Sequence, residues 1–355
     1  MELIGETLEQ LEKVMEKWGH PLYRARQITV LLYQRGARDF SELTNIPSSL
    51  RRQLQEAGWR LPSVHIRTAF EAKDGTKRYL FRLIDGREVE GVFIPEQKRK
   101  TVCFSTQVGC GMGCAFCATG QQGFSRNLTA GEIIDQVLSI GLERDIRISN
   151  VVAMGQGEPL ANYEQVLKAV RIINADYGLG IAARRLTIST CGLVPAIHRL
   201  AAEELQINLA VSLHCANDVK RNELVPVNRS YSLGVLHQAC VDYAEATGRR
   251  VTLEYIMIKD VNDSQDDLNK LIEFSRGWLC HINLIPFNPI PDRTFESSPM
   301  KRIHYFNQVL KENGIASSIR QERGAEIAAA CGQLQAHSLA KTPEDTEMAE
   351  NRGKS

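Results

Sequence analysis

No run of apolar residues in this sequence approaches the roughly 20 that span a bilayer. The N-terminus, Met1-Glu2-Leu3-Ile4-Gly5-Glu6, lacks the positive start and apolar core of a signal peptide. A cytoplasmic location with no membrane partner is therefore expected. A dominant charge is lacking too, because 43 Lys and Arg stand against 42 Asp and Glu. The chain as a whole exerts no pull on nucleic acid. Internal repeats and low-complexity tracts are also missing. Cysteine, by contrast, is not scarce: there are nine. In a cytosolic chain that number points to metal binding or catalysis rather than to disulfides. A length of 355 residues, 43% apolar and 24% charged, suits one large domain with appendages or two ordinary domains.

Residues 1–60 read as helical, with apolar positions recurring in Leu8-Leu11-Val14-Met15, in Tyr23-Ile28-Leu31-Leu32 and in Leu50-Leu54. From Lys17 to Arg60, eight basic residues face three acids, an excess that suits either phosphate contacts or a solvated helical face. Over 61–97 short β-like runs are broken by Asp74-Gly75 and Asp85-Gly86, both turn signals, so a small β-rich connector is expected. From Thr101 onward, strand candidates at Thr101–Ser105, Asn150–Met154, Leu186–Thr190, Ile207–Leu213, Val251–Ile258 and Ile282–Ile285 alternate with helix-like stretches. A seventh strand is expected at Ile315–Ile319. Alternation of this kind builds a parallel α/β sheet, open or curled toward a barrel, over 98–336. The polar tail 337–355 is expected to be disordered.

The segment Gly109-Cys110-Gly111-Met112-Gly113-Cys114-Ala115-Phe116-Cys117 sets three thiols at C-x3-C-x2-C spacing in a glycine-rich loop just after the first of these strands. Iron–sulfur clusters take thiolate ligands, and three thiolates on a four-iron cubane leave one iron open. A structural zinc site would need a fourth Cys or His at ribbon-like spacing, and none is close. The other strands also end in polar or glycine-rich residues: Met154-Gly155-Gln156-Gly157-Glu158, Ser189-Thr190, Ser212-Leu213-His214 and Pro286-Phe287-Asn288. Active sites of α/β barrels gather at such carboxyl ends. There Glu158 can accept from an ammonium group.

The C-x3-C-x-aromatic-C loop resembles the signature of radical S-adenosylmethionine (SAM) enzymes. The wider pattern narrows this to the RlmN/Cfr family of radical SAM RNA methyltransferases. Tyr23-Arg24-Ala25-Arg26-Gln27-Ile28, Gln121–Leu128, Leu284-Ile285-Pro286-Phe287-Asn288-Pro289 and Ala329-Ala330-Cys331-Gly332-Gln333-Leu334 are all similar to it. The resemblance implies a partial (β/α)6 barrel with a helical N-terminal accessory domain. It also implies one [4Fe-4S] cluster on Cys110, Cys114 and Cys117, with SAM chelating the open iron and Phe116 beside its adenine. SAM contacts fall on Gly157, Glu158, Ser189, Ser212, Leu213, His214 and Asn288. Catalytic roles fall on Cys103, Cys331 and Glu90, the last as proton acceptor.

The implied reaction is methylation of C2 of an adenosine in 23S rRNA, and of one beside the tRNA anticodon, through a methylated Cys331. C8 methylation, or a non-RNA substrate, is the alternative. The implied partners are RNA and an electron donor of flavodoxin or ferredoxin type, serving a monomer. Departures from the family pattern are Gln156, Ala325 and Ala328. Without the resemblance, Cys103 and Cys331 read equally as small core residues, and Cys191, Cys215, Cys240 and Cys280 read as buried thiols without a role.

Overall fold

The computed structural model describes residues 1–290, 294–321 and 323–334. The expected disordered tail lies outside the described residues. Helices α1 (Leu8–Lys17), α2 (Tyr23–Thr29) and α3 (Ser48–Glu56) make up the N-terminal region. A capping box of Thr7 and Gln10 starts α1, satisfying two backbone donors that a helix start leaves open. The buried residues Leu11, Ile28 and Leu50 belong to the same continuous core as the barrel's Ile133, Leu209 and Leu253. These helices are thus packed onto the barrel and share its apolar interior.

Strands β1 (Val64–Glu71), β2 (Lys77–Leu83) and β3 (Glu88–Pro95) form an antiparallel meander. Its two turns fall at the Asp-Gly pairs, where Gly75 and Gly86 take φ of 79° and 82°, a region that favours glycine. Strand β4 (Lys100–Cys103) pairs antiparallel with β3, with Val92 opposite Cys103. A short hairpin, β5 (Gln107–Gly109) with β6 (Phe124–Asn127), flanks the cysteine loop and stands apart from the main sheet.

The sheet then continues from β4 in parallel strands β7 (Asn150–Ala153), β8 (Leu186–Thr190), β9 (Asn208–Ser212), β10 (Val251–Met257), β11 (Cys280–Pro286) and β12 (Ser317–Ile319). Between them run α4 (Ala118–Gln121), α5 (Ala130–Arg144), α6 (Tyr163–Asn174), α7 (Val194–Ala201), α8 (Asp218–Leu224), α9 (Leu233–Thr247), α10 (Gln265–Ser275) and α11 (Met300–Glu312). Strands β4 to β11 give six strand–helix units in spatial order, and β12 adds a last edge, as expected of a partial (β/α)6 barrel. The meander lies within the 61–97 stretch that reads as β-rich, and the tight turn at Glu96–Arg99 folds β3 back onto β4, so that it joins the barrel strands in one ten-stranded sheet.

Candidate functional site

All parallel strands point the same way, so their carboxyl ends converge on two adjoining cavities. The smaller, about 140 Å³, is lined by Cys110, Cys114, Phe116 and Cys117 together with Gly157, Glu158, Ser189, Ser212 and His214. The larger, about 1350 Å³, is the barrel lumen and holds Cys103 and Asn288. Cys331 lines both. Leu213 reaches neither; its side chain is wholly buried in the main core, and only its backbone faces the strand end.

The cysteine loop is held by backbone geometry. Gly109 sits at φ 73°, and a Cβ there would come 2.0 Å from the Gly123 carbonyl oxygen, so no other residue fits. At Gly157, φ 102°, a Cβ would come 2.6 Å from the Cβ of Gln107. Burial pushes the Cys110 thiol up to about 12 and raises that of Cys117. Deprotonating them needs positive charge from a metal. Among the described residues no three His, Cys, Asp or Glu side chains converge to chelate a single ion. Thiols spaced around a cavity instead suit a cluster, whose irons hold its ligands apart.

Glu158 is fully enclosed, and burial raises its pKa. Its Oε1 accepts from Leu160 N–H at 3.0 Å and its Oε2 from Cys191 N–H at 2.7 Å, which fixes the carboxylate while leaving lone pairs for a ligand's ammonium. His214 takes φ 57° and packs edge-on against Phe116, with ring centres 4.6 Å apart. Burial holds its pKa down to about 3, and its Nδ1 accepts from Ile256 N–H, so the neutral ring carries its proton on Nε2. The Oδ1 of Asn288 is buried without a partner among the described residues, an open acceptor beside the lumen. This polar, glycine-lined cradle fits SAM.

Strand alternation sends Val102 and Phe104 into the core and turns Cys103 to the lumen beside Val92 and Leu334. Burial pushes the Cys103 thiol up to about 12, with Cys331 adding to the rise and Arg320 opposing it. The Cys331 loop is pinned from three sides. Ala118 N–H donates to the Gly332 carbonyl at 2.7 Å, Thr119 Oγ1 to the Leu334 carbonyl at 2.8 Å, and Gln333 Nε2 to the Pro289 carbonyl at 3.0 Å. Glu90 lines neither cavity. Wholly buried on the same face of β3 as Val92, it stands 3.5 Å from Arg78. Gln156, one of the sequence departures, uses its Oε1 to accept from Glu90 N–H at 3.0 Å and so holds that strand.

The structure brings to the site one residue that sequence reasoning set aside, Cys191, and two that it missed, Arg221 and Arg320. Cys191 is half-buried rather than buried, lines the smaller cavity, and lies 3.7 Å from Cys114, sulfur to sulfur. Arg221 is fully buried and braces the strand ends, donating to the carbonyls of Leu213, Cys191 and Ser212. Arg320 lines both cavities, 4.0 Å from Glu254. Only Cys191 carried any signal in the sequence, as a thiol directly after a strand-end hydroxyl pair.

Residues 104–274 match the Radical SAM superfamily, and residues 1–58 match the Ribosomal RNA large subunit methyltransferase N-terminal domain. A protein of Pelotomaculum thermopropionicum named "Probable dual-specificity RNA methyltransferase RlmN" is 47% identical over 92% of this chain and 89% of its own length. The chain belongs to the RlmN family of radical SAM methyltransferases. A relative of the same name in Alkaliphilus metalliredigens is 44% identical over 94% of this chain and 95% of its own. The crystal structure of a radical SAM methyltransferase from Sphaerobacter thermophilus superposes with a TM-score of 0.91 at 46% identity, covering 95% of this chain and 99% of that one. RlmN-family membership brings the [4Fe-4S] cluster and SAM with it. Among the described residues no helix is long and apolar enough to cross a membrane.

Proposed function

We propose that this protein methylates C2 of an adenine in RNA, at the peptidyl-transferase centre of 23S rRNA and beside the anticodon of tRNA. The relatives' shared name supports two RNA substrates. The carrying observation is that Cys103 and Cys331 line one lumen while Cys331 also lines the three-thiol cavity.

Adenine C2 is an amidine-type carbon that cannot attack a methyl cation equivalent, so a radical route is required. Cys110, Cys114 and Cys117 would hold the cluster, and Gly157, Glu158, Ser189, Ser212, the Leu213 backbone, His214 and Asn288 would hold SAM; together the two groups would supply that radical. Cys331 as thiolate takes a methyl group from one SAM; its sulfur–carbon bond forms as the sulfonium bond breaks, releasing S-adenosylhomocysteine. The adenosyl radical would take a hydrogen atom from this methyl group and end as 5′-deoxyadenosine; the methylene carbon left on Cys331 bonds to C2, and the one surplus electron would pass to the oxidised cluster. Glu90 then takes the ring proton. Arg78, 3.5 Å away, offers that carboxyl a counter-charge. Cys103 as thiolate attacks the Cys331 sulfur; the S–S bond forms as the sulfur–methylene bond breaks, and the carbon leaves with that electron pair and takes a proton to become the methyl group of the base. A small redox protein of flavodoxin or ferredoxin type as electron donor, a monomeric state and a cytoplasmic location complete the proposal.

Mass spectrometry of nucleosides from RNA treated with the reconstituted enzyme tests it. 2-Methyladenosine is expected. 8-Methyladenosine, or no modified adenosine in either RNA, would refute it.

A further inference from the structure

The parallel strands share one amino end as well as one carboxyl end, and the residues just before three of them are paired bases. Lys98 and Arg99 precede β4, Arg184 and Arg185 precede β8, and Arg249 and Arg250 precede β10. All six line the lumen, at the mouth opposite the SAM cradle. All but Arg249 are exposed, and none of those five has an ion pair among the described residues. Arg249 is tethered by Asn208 Oδ1 at 2.6 Å. Glu96 and Glu254 are the acids on the same lining, and Glu254 already faces Arg320.

Just inside this mouth the walls are uncharged and polar: Thr101, Asn150, Thr187, Asn208 and Thr252. A closed eight-stranded barrel fills its interior with branched apolar side chains; this one leaves about 1350 Å³ open. From Lys100 to Cys103 the depth is roughly 10 Å at about 3.3 Å per residue.

We infer that this basic mouth is the entry for the RNA strand: the six cations hold the phosphates flanking one flipped-out adenosine, and the polar lumen carries its base to Cys103 and Cys331. An enzyme acting on a base must take it out of the stack, and phosphate contacts position a nucleic acid without reading it. The inference rests on the proposed RNA substrate. It also moves RNA contact away from the N-terminal helices, whose arginines are largely engaged. Arg26 pairs with Asp176 at 2.8 Å, Arg38 with Asp135, Arg24 donates to Gln27 and Asn45, and Arg51 to the Ser41 carbonyl.

The test uses holoenzyme and two probes, a 23S rRNA transcript containing the peptidyl-transferase centre and a tRNA transcript. Binding is measured against salt for wild type, for Arg184→Glu/Arg185→Glu/Arg250→Glu, for the milder Gln triple at the same positions, and for Arg24→Glu/Arg26→Glu/Arg52→Glu. Each lost phosphate contact removes about 0.7 from the slope of log K against log salt. The mouth variants should therefore lose about 2 in slope, and the Glu triple should bind at least about tenfold more weakly. Both should keep wild-type cluster content and RNA-free SAM cleavage, and the helix variant should keep the wild-type slope. A wild-type slope in both mouth variants overturns the inference and leaves the methylation reading standing. Failure of the wild type to bind or methylate either RNA overturns both.

Discussion

The Ala118 N–H donates to the Gly332 carbonyl at 2.7 Å, so the helix that follows Cys117 carries the Cys331 loop. Gly332 itself has φ 84°, and a Cβ there would come 3.1 Å from the Phe116 carbonyl oxygen. Gly332→Ala should strain this clamp by about 1–2 kcal/mol. Loosening of the loop should show as faster alkylation of Cys331, read by peptide mass spectrometry, with cluster content unchanged. An unchanged alkylation rate would mean that the clamp does not restrain Cys331.

Cluster assembly is expected to depend on Cys110, Cys114 and Cys117 together. Replacing Cys110, Cys114 and Cys117 together by Ala should abolish iron and sulfide binding, whereas the anaerobically prepared wild type should bind about four of each. Iron and sulfide analysis checks this. Cys191, 3.7 Å from Cys114, is left in place in the triple variant and should not rescue assembly by itself.

Arg38 lies in the basic stretch between Lys17 and Arg60, and its structural place is an ion pair with Asp135, which is fully buried. Asp135 also accepts from the N–H groups of Ser63 at 2.7 Å and Val64 at 2.8 Å, tying α5 to the start of β1. Arg38→Ala should destabilise the fold by roughly 3–5 kcal/mol, because it leaves a buried carboxylate without its counter-charge. Denaturant unfolding measures this, and a loss below about 1 kcal/mol would contradict the account.

His214 links stability to pH. Its folded pKa, depressed by burial to about 3, lies below the ordinary 6.5. The unfolded chain therefore binds a proton that the native one does not, and stability is lost as pH falls below 6.5. Between pH 6.5 and pH 5 this one group costs about 2 kcal/mol. His214→Gln should remove that share, flattening the pH dependence of the denaturation midpoint relative to wild type. Parallel curves for the two proteins would count against it.

Much of the barrel was legible because its periodicity is local. Leu186–Thr190 and Leu233–Thr247 have the bounds the sequence implied, since each is framed by polar or glycine residues. The hairpin of Gln107–Gly109 with Phe124–Asn127 was not, because runs of three and four residues without alternation owe their form to the loop they enclose. Pairing of Val92 with Cys103 joins two elements that look separate in sequence, since only the Glu96–Arg99 turn reveals the return. In the site, Cys103 and the three loop thiols were legible from spacing and alternation. Cys191 and Arg221 were not, because what they touch depends on which strands lie side by side. The basic mouth is the same case: three dibasic pairs far apart in sequence become neighbours only once the strands are known to be parallel.

The central claim is that Cys331 carries the new carbon and Cys103 releases it. The most direct measurement is mass spectrometry of Cys103→Ala holoenzyme after turnover with 23S rRNA. RNA covalently joined to the protein through a methylene group on Cys331 is the expected result, with no such adduct when Cys331 is also changed to Ala. Wild-type turnover by Cys103→Ala, with no adduct at Cys331, would contradict it.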